Sequence, residues 1–188
     1  RLSPKIAAAT AALAERLPGA RALVPAAPGL GPAVREAAAG WAIPATVLDP
    51  AEAPPGVGEA RKFAAMAACD AALAASGTVS LELAALGVPH VSAYAVNPLS
   101  AAIARRLIRV RTANLVNLLT EGDAVPEYLQ EHFRPDAVAE ALVRLAADDT
   151  ARARQRAAFA RAMAALGRGG PHPSERAADA VMRVLQGP

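Results

Sequence analysis

Between residues 20 and 94 the chain alternates short apolar runs with alanine-rich stretches, and Pro and Gly punctuate every change. Four runs read as strands: ARALVP (Ala20–Pro25), PATVLD (Pro44–Asp49), Ala71–Ala75 and VPHVSAY (Val88–Tyr94). Pro4–Leu17, Gly31–Ala39, Glu59–Ala68 and Thr78–Leu86 read as helices, and Pro50–Gly58 as a loop. Strands separated by helices of this length form parallel βαβ units. The strands are apolar throughout, as expected when helices cover both faces of a parallel sheet. Gly87 is placed to cap the helix before it. From Pro135 onward the sequence is nearly all helical, with Thr150–Leu166 and Ser174–Leu185 separated by the loop Gly167–Pro173. The expected fold is α/β: a doubly wound, Rossmann-like parallel sheet flanked by helices, extended by helices over about 135–188. Such sheets bind ligands at the carboxyl ends of their strands.

Composition narrows the function. The chain has 188 residues, 54% apolar and 20% charged, enough to bury a core. Aromatic residues make up only 3%, too few for the stacking platforms of a single-strand nucleic-acid binder. Cys69 is the sole cysteine, so no intramolecular disulfide forms. No apolar run reaches the roughly 20 residues that span a bilayer, and the start does not read as a signal peptide. The chain lacks an initiator methionine and opens in helical sequence, which leads us to expect a fragment. His90, His132 and His172 are too scattered to suggest a metal site. No G-x-G-x-x-G follows a strand, which disfavours a dinucleotide oxidoreductase.

The segment ASGTVSLELAALGVP (Ala75–Pro89) carries the chemistry. A strand end running through Ser76-Gly77-Thr78 into a helix presents unsatisfied N–H groups and the positive end of a dipole to an anion, phosphate above all. Gly77 permits close approach to the backbone. Alternatively, Ser76 or Thr78 is simply the helix N-cap. Glu82 lies one turn into the helix, in an otherwise apolar run. Its spacing misses a capping box, which would put the acid where Leu81 stands. Its two acceptor oxygens suit the vicinal hydroxyls of a ribose; the other reading is a solvated helix charge.

The run AACDAALAASGTVSLELAALGVPHVSAY resembles the donor-binding region of the bacterial lipid-A-disaccharide synthase family, which carries a D-A-A-L-x-A-S-G-T-x-x-L-E stretch, a following proline and V-x-x-Y. The resemblance continues through NPLSAAIARRLIRV, NLVNLL, VPEYLQE and PSERAADAVMRVL. It implies the C-terminal, donor-binding half of a GT-B glycosyltransferase, a hexosyltransferase. The reaction joins UDP-2,3-diacylglucosamine to 2,3-diacylglucosamine 1-phosphate, giving a β-1,6 disaccharide and UDP. It implies no metal and no cofactor, the UDP-sugar being a substrate. Residues 1–188 would be one nucleotide-sugar-binding domain, truncated at its N-terminal side. Ser76, Gly77 and Thr78 would contact the diphosphate and Glu82 the ribose. Asn117, Glu127 and Gln130 match polar family positions on the donor side of the cleft; otherwise Asn117 is a turn residue and Gln130 a surface one. The family's G-S-R loop has no counterpart, Arg1 is not its arginine, Val116 replaces a proline and Ala95 a basic residue. The acid or base for the acceptor hydroxyl is expected on an N-terminal domain absent here, so this piece alone is expected to be inactive. Another UDP-sugar GT-B enzyme, or a noncatalytic Rossmann-like fragment, are the competing readings.

Asn97-Pro98 reads as a helix start, with Leu99, Ile103, Leu107 and Val110 as an apolar stripe. Arg105, Arg106 and Arg109 at its end either complement the helix dipole or meet anionic lipid headgroups. The expected partners are therefore the UDP-diacylglucosamine donor, an acylated glucosamine phosphate acceptor on the missing domain and an anionic membrane surface, with a homodimer allowed and no nucleic acid. The expected location is cytoplasmic, peripheral on the inner face of the bacterial inner membrane.

Overall fold

A computed structural model describes residues 2–75, 77–94, 112–129 and 132–186. In chain order the elements are α1 (Ser3–Arg16), β1 (Ala22–Pro25), α2 (Gly31–Ala39), β2 (Ala45–Leu48), a 3-10 turn (Pro50–Glu52), α3 (Gly58–Ala67), β3 (Ala72–Ala74), α4 (Thr78–Ala85), β4 (His90–Tyr94), α5 (Leu115–Thr120), β5 (Glu127–Leu129), α6 (Pro135–Ala147), α7 (Asp149–Ala165) and α8 (Pro173–Gln186). All strand pairings are parallel: β1 with β2, and β3–β4–β5 as a second sheet with β4 central. The expected α/β architecture, a Rossmann-like set of parallel strands flanked by helices, is present. Two short elements, α5 and β5, have no counterpart among the elements read from the sequence. The turn at Pro50 lies in the expected loop and is capped by Asp49, whose carboxylate accepts from the Ala51 N–H at 3.0 Å.

β4 shows why the fold is layered. Its first four residues are buried, and neighbours point to opposite faces. Val91 and Ala93 enter a core with Ala9 of α1 and Val138 and Leu145 of α6. His90 and Ser92 face the other way. There the His90 ring stacks on Phe159 of α7, with centroids 5.2 Å apart, and Ser92 meets Asn114. A second core joins α4, α5 and α7 through Ala84, Val116, Ala158, Phe159 and Met163. A third joins α3, β3 and α4 through Met66, Ala74, Leu83 and Val88. Helices thus close both faces of β4, which is why the polar His90 and Ser92 are buried along with Val91 and Ala93. β1 and β2 are covered less: neither has a buried residue, and the exposure of β1 alternates along the strand.

Gln155 of α7 locks that layer to the sheet. Its side-chain oxygen accepts from the His90 N–H at 2.8 Å and its amide donates to the His90 carbonyl at 3.0 Å, all of it buried. The amide takes the place of a neighbouring strand. α8 differs from the other described α-helices: none of its residues is buried, and Val181, Met182, Val184 and Leu185 are exposed. No described helix is long and apolar enough to cross a membrane.

Candidate functional site

Two glycines set the ends of α4, and one of them, Gly77, forms its junction with β3. Gly77 holds φ 75° and ψ −144°, a backbone conformation that a side chain resists. It is the N-cap of α4, and no side-chain hydrogen bond caps the helix there. Thr78 is already helical and exposed, so it is not the cap that one reading of the sequence allowed. Ser80 turns back, its hydroxyl donating to the Gly77 carbonyl at 2.7 Å. At the other end Gly87, at φ 72°, closes α4: its N–H donates to the Ala84 carbonyl at 3.1 Å, and the Val88 N–H to Leu83 at 2.9 Å. Both ends of this eight-residue helix are therefore fixed. Its amino end opens at the carboxyl end of β3, where a parallel sheet receives ligands. Ser76 lies outside the described residues.

Glu82 is half-buried, one turn into α4. Lys62 of α3 grips it, with Nζ 3.0 Å from Oε1 and 3.1 Å from Oε2. The ammonium also sits over the Phe63 ring, 4.3 Å from its centroid. An ionised carboxylate has about four acceptor positions. Lys62 fills two, and among the described residues no other donor reaches Glu82.

Glu127 makes a sharp contrast. Its Oε1 accepts from the Thr112 hydroxyl and from Asn117 Nδ2 at 2.9 Å. Its Oε2 accepts from the N–H groups of Ala113 at 2.8 Å and Asn114 at 3.2 Å. All four positions are used, and they tie the 112–114 segment to β5. Asn117 is as fully engaged: Nδ2 also donates to the Val125 carbonyl at 2.8 Å, and Oδ1 accepts from the Val125 N–H at 3.0 Å. It is buried inside α5, not at a turn. Asn114, which sequence reasoning passed over, caps α5 by accepting from Val116 N–H at 2.9 Å and Asn117 N–H at 3.3 Å. Its amide donates to Ser92 Oγ at 2.7 Å and so anchors the cap to β4. A capping asparagine just before an apolar run was its readable signal. Lys62 was also missed; its signal was a lysine in a chain whose only other lysine is Lys5. Gln130, Arg105, Arg106, Arg109 and Ala95 lie outside the described residues.

Two clefts lie beside β1 and β2. The larger, about 550 Å³, is lined by Arg35, Trp41, Ile43 and Pro44, at the amino end of β2. The smaller, about 320 Å³, opens past the carboxyl ends of β1 and β2, is lined by Pro25, Asp49 and Arg61 among others, and includes Lys62. Only the second lies at the end where parallel sheets bind ligands and adjoins Glu82 through Lys62. Among the described residues no three His, Cys, Asp or Glu side chains cluster as metal ligands.

Residues 55–181 match the family model of lipid-A-disaccharide synthetase. The chain belongs to the lipid-A-disaccharide synthetase family. It is 43% identical over 185 residues to the lipid-A-disaccharide synthase of Rhodospirillum centenum, covering 98% of this chain and 44% of that protein. It is 44% identical over 178 residues to that of Paramagnetospirillum magneticum, covering 94% and 43%. The Ruegeria pomeroyi synthase is 43% identical over 187 residues, covering 100% and 46%. The chain thus spans less than half the length of these family members. The matched span takes in α3 with Lys62, the β3–α4 junction and the Glu127 cluster.

Proposed function

We propose that this chain is the donor-binding part of a lipid-A-disaccharide synthase, a hexosyltransferase that joins UDP-2,3-diacylglucosamine to 2,3-diacylglucosamine 1-phosphate and releases UDP. The observation that carries the reading is Glu82: a carboxylate one turn from a helix start with no side-chain cap, with two of its four acceptor positions open among the described residues. The diphosphate lies at the Gly77–Thr78 start of α4, where free N–H groups and the helix dipole stabilise the negative charge that grows as UDP leaves. Ser76 adds a hydroxyl there. The ribose hydroxyls donate to Glu82. Asn117 and Glu127, whose polar atoms are engaged within the protein, shape this wall of the cleft by fixing the 112–114 segment and α5. Gln130, next in the sequence after β5, is assigned to the donor side through its match to the family's polar position. The acid or base that activates the acceptor hydroxyl belongs to the rest of the synthase.

The acylated substrates place the protein at the cytoplasmic face of the inner membrane, with Arg105, Arg106 and Arg109 toward the anionic headgroups. A homodimer is compatible with this arrangement. The reading is tested by calorimetric titration of UDP into the wild-type chain and into Glu82→Ala. Losing hydrogen bonds to a charged acceptor weakens binding by about 10- to 100-fold. Equal affinity in the two proteins would refute the ribose assignment.

A further inference from the structure

We propose that Lys62 is a positioning residue for ribose recognition: it holds Glu82 so that the carboxylate presents one open acceptor position on each oxygen to a vicinal diol. This rests on the reading of Glu82 as the ribose carboxylate and adds a residue on a different helix to it. Lys62 Nζ lies almost equally far from the two oxygens, at 3.0 and 3.1 Å, so both are held and the plane of the carboxylate is fixed. The Phe63 ring beneath the ammonium fixes the donor in turn. A glutamate on a helix surface otherwise samples several rotamers, and a ligand would have to select one of them. The two hydroxyls of a ribose sit side by side and match two oxygens presented together. Glu127, saturated by four donors, has no such capacity; that difference separates a binding carboxylate from a structural one. Lys62 also lines the cleft at the carboxyl ends of β1 and β2, which puts this pair at the ligand end of the sheet.

The test compares UDP with 2′-deoxy-UDP, which lacks one of the two hydroxyls, by calorimetry on the wild-type protein, Lys62→Met, Lys62→Arg and Glu82→Ala. The wild type is expected to prefer UDP by about tenfold. Lys62→Met, which keeps the length of the stem, reduces the preference toward one. Lys62→Arg, whose guanidinium offers a two-donor fork, restores it. Circular dichroism melts confirm that the variants are folded. A Lys62→Met protein that weakens both ligands by the same factor, or that keeps the tenfold preference, overturns the proposal. If Glu82→Ala itself keeps the preference, the ribose reading of Glu82 has failed; a loss there with none in Lys62→Met rejects the role of Lys62 alone.

Discussion

Acidification should destabilise this protein through one buried ring. His90 is fully buried on β4, and its side-chain pKa falls from 6.5 to about 4, first because burial disfavours the charged form, with the Val88 carbonyl opposing. Nδ1 lies 3.2 Å from that carbonyl, which can only accept, so the proton sits on Nδ1. Nε2 is buried with no partner among the described residues. Above pH 6.5 the imidazole is neutral in the folded and the unfolded chain, and its contribution to stability is fully present. Below pH 6.5 the unfolded chain takes up a proton that the folded one refuses, so stability falls until the folded pKa is reached near 4. Each pH unit in that window costs about 1.4 kcal/mol for one proton. The loss is about 2 kcal/mol at pH 5 and about 3 kcal/mol at pH 4, a large share of a typical domain's stability. Carboxylates titrate in the same range, so the comparison must be with His90→Phe, which keeps the stack on Phe159 and cannot be protonated. Urea unfolding of both proteins at pH 7, 6, 5 and 4.5 gives two stability curves. The wild-type curve should fall more steeply below pH 6.5 by the amounts above. Parallel curves would show that His90 charges without cost and that the reasoning is wrong.

Two further substitutions probe the polar locks. Glu127→Gln replaces an acceptor oxygen with an N–H₂ facing donors, so we expect a loss of about 1–3 kcal/mol in urea unfolding; an unchanged midpoint would mean that the four bonds do not hold the 112–114 segment. Gln155→Ala strands the buried N–H and carbonyl of His90 together and should cost about 2–4 kcal/mol, with faster amide exchange at β4 as the local readout.

The sequence located those parts of the molecule that depend on near neighbours. Gly77 and Gly87 mark the two ends of α4 because only glycine adopts their backbone angles readily. A short apolar run bounded by turn residues marked β3, and in β4 Val91 and Ala93 alternate with His90 and Ser92 although both faces are covered. Six residues of α5 and three of β5 carry too little periodicity to register, and among the described residues β5 has only β4 as its ladder partner. The tertiary structure alone decided which carboxylate is open. Glu82 and Glu127 look alike as isolated acids in apolar surroundings. Lys62, 20 residues before Glu82, leaves that carboxylate half-occupied, whereas Thr112, Ala113, Asn114 and Asn117 converge on Glu127 and fill it. Hydrogen-bond capacity is spent by whichever donors the fold brings near, and that convergence between distant segments has no local signature in the chain.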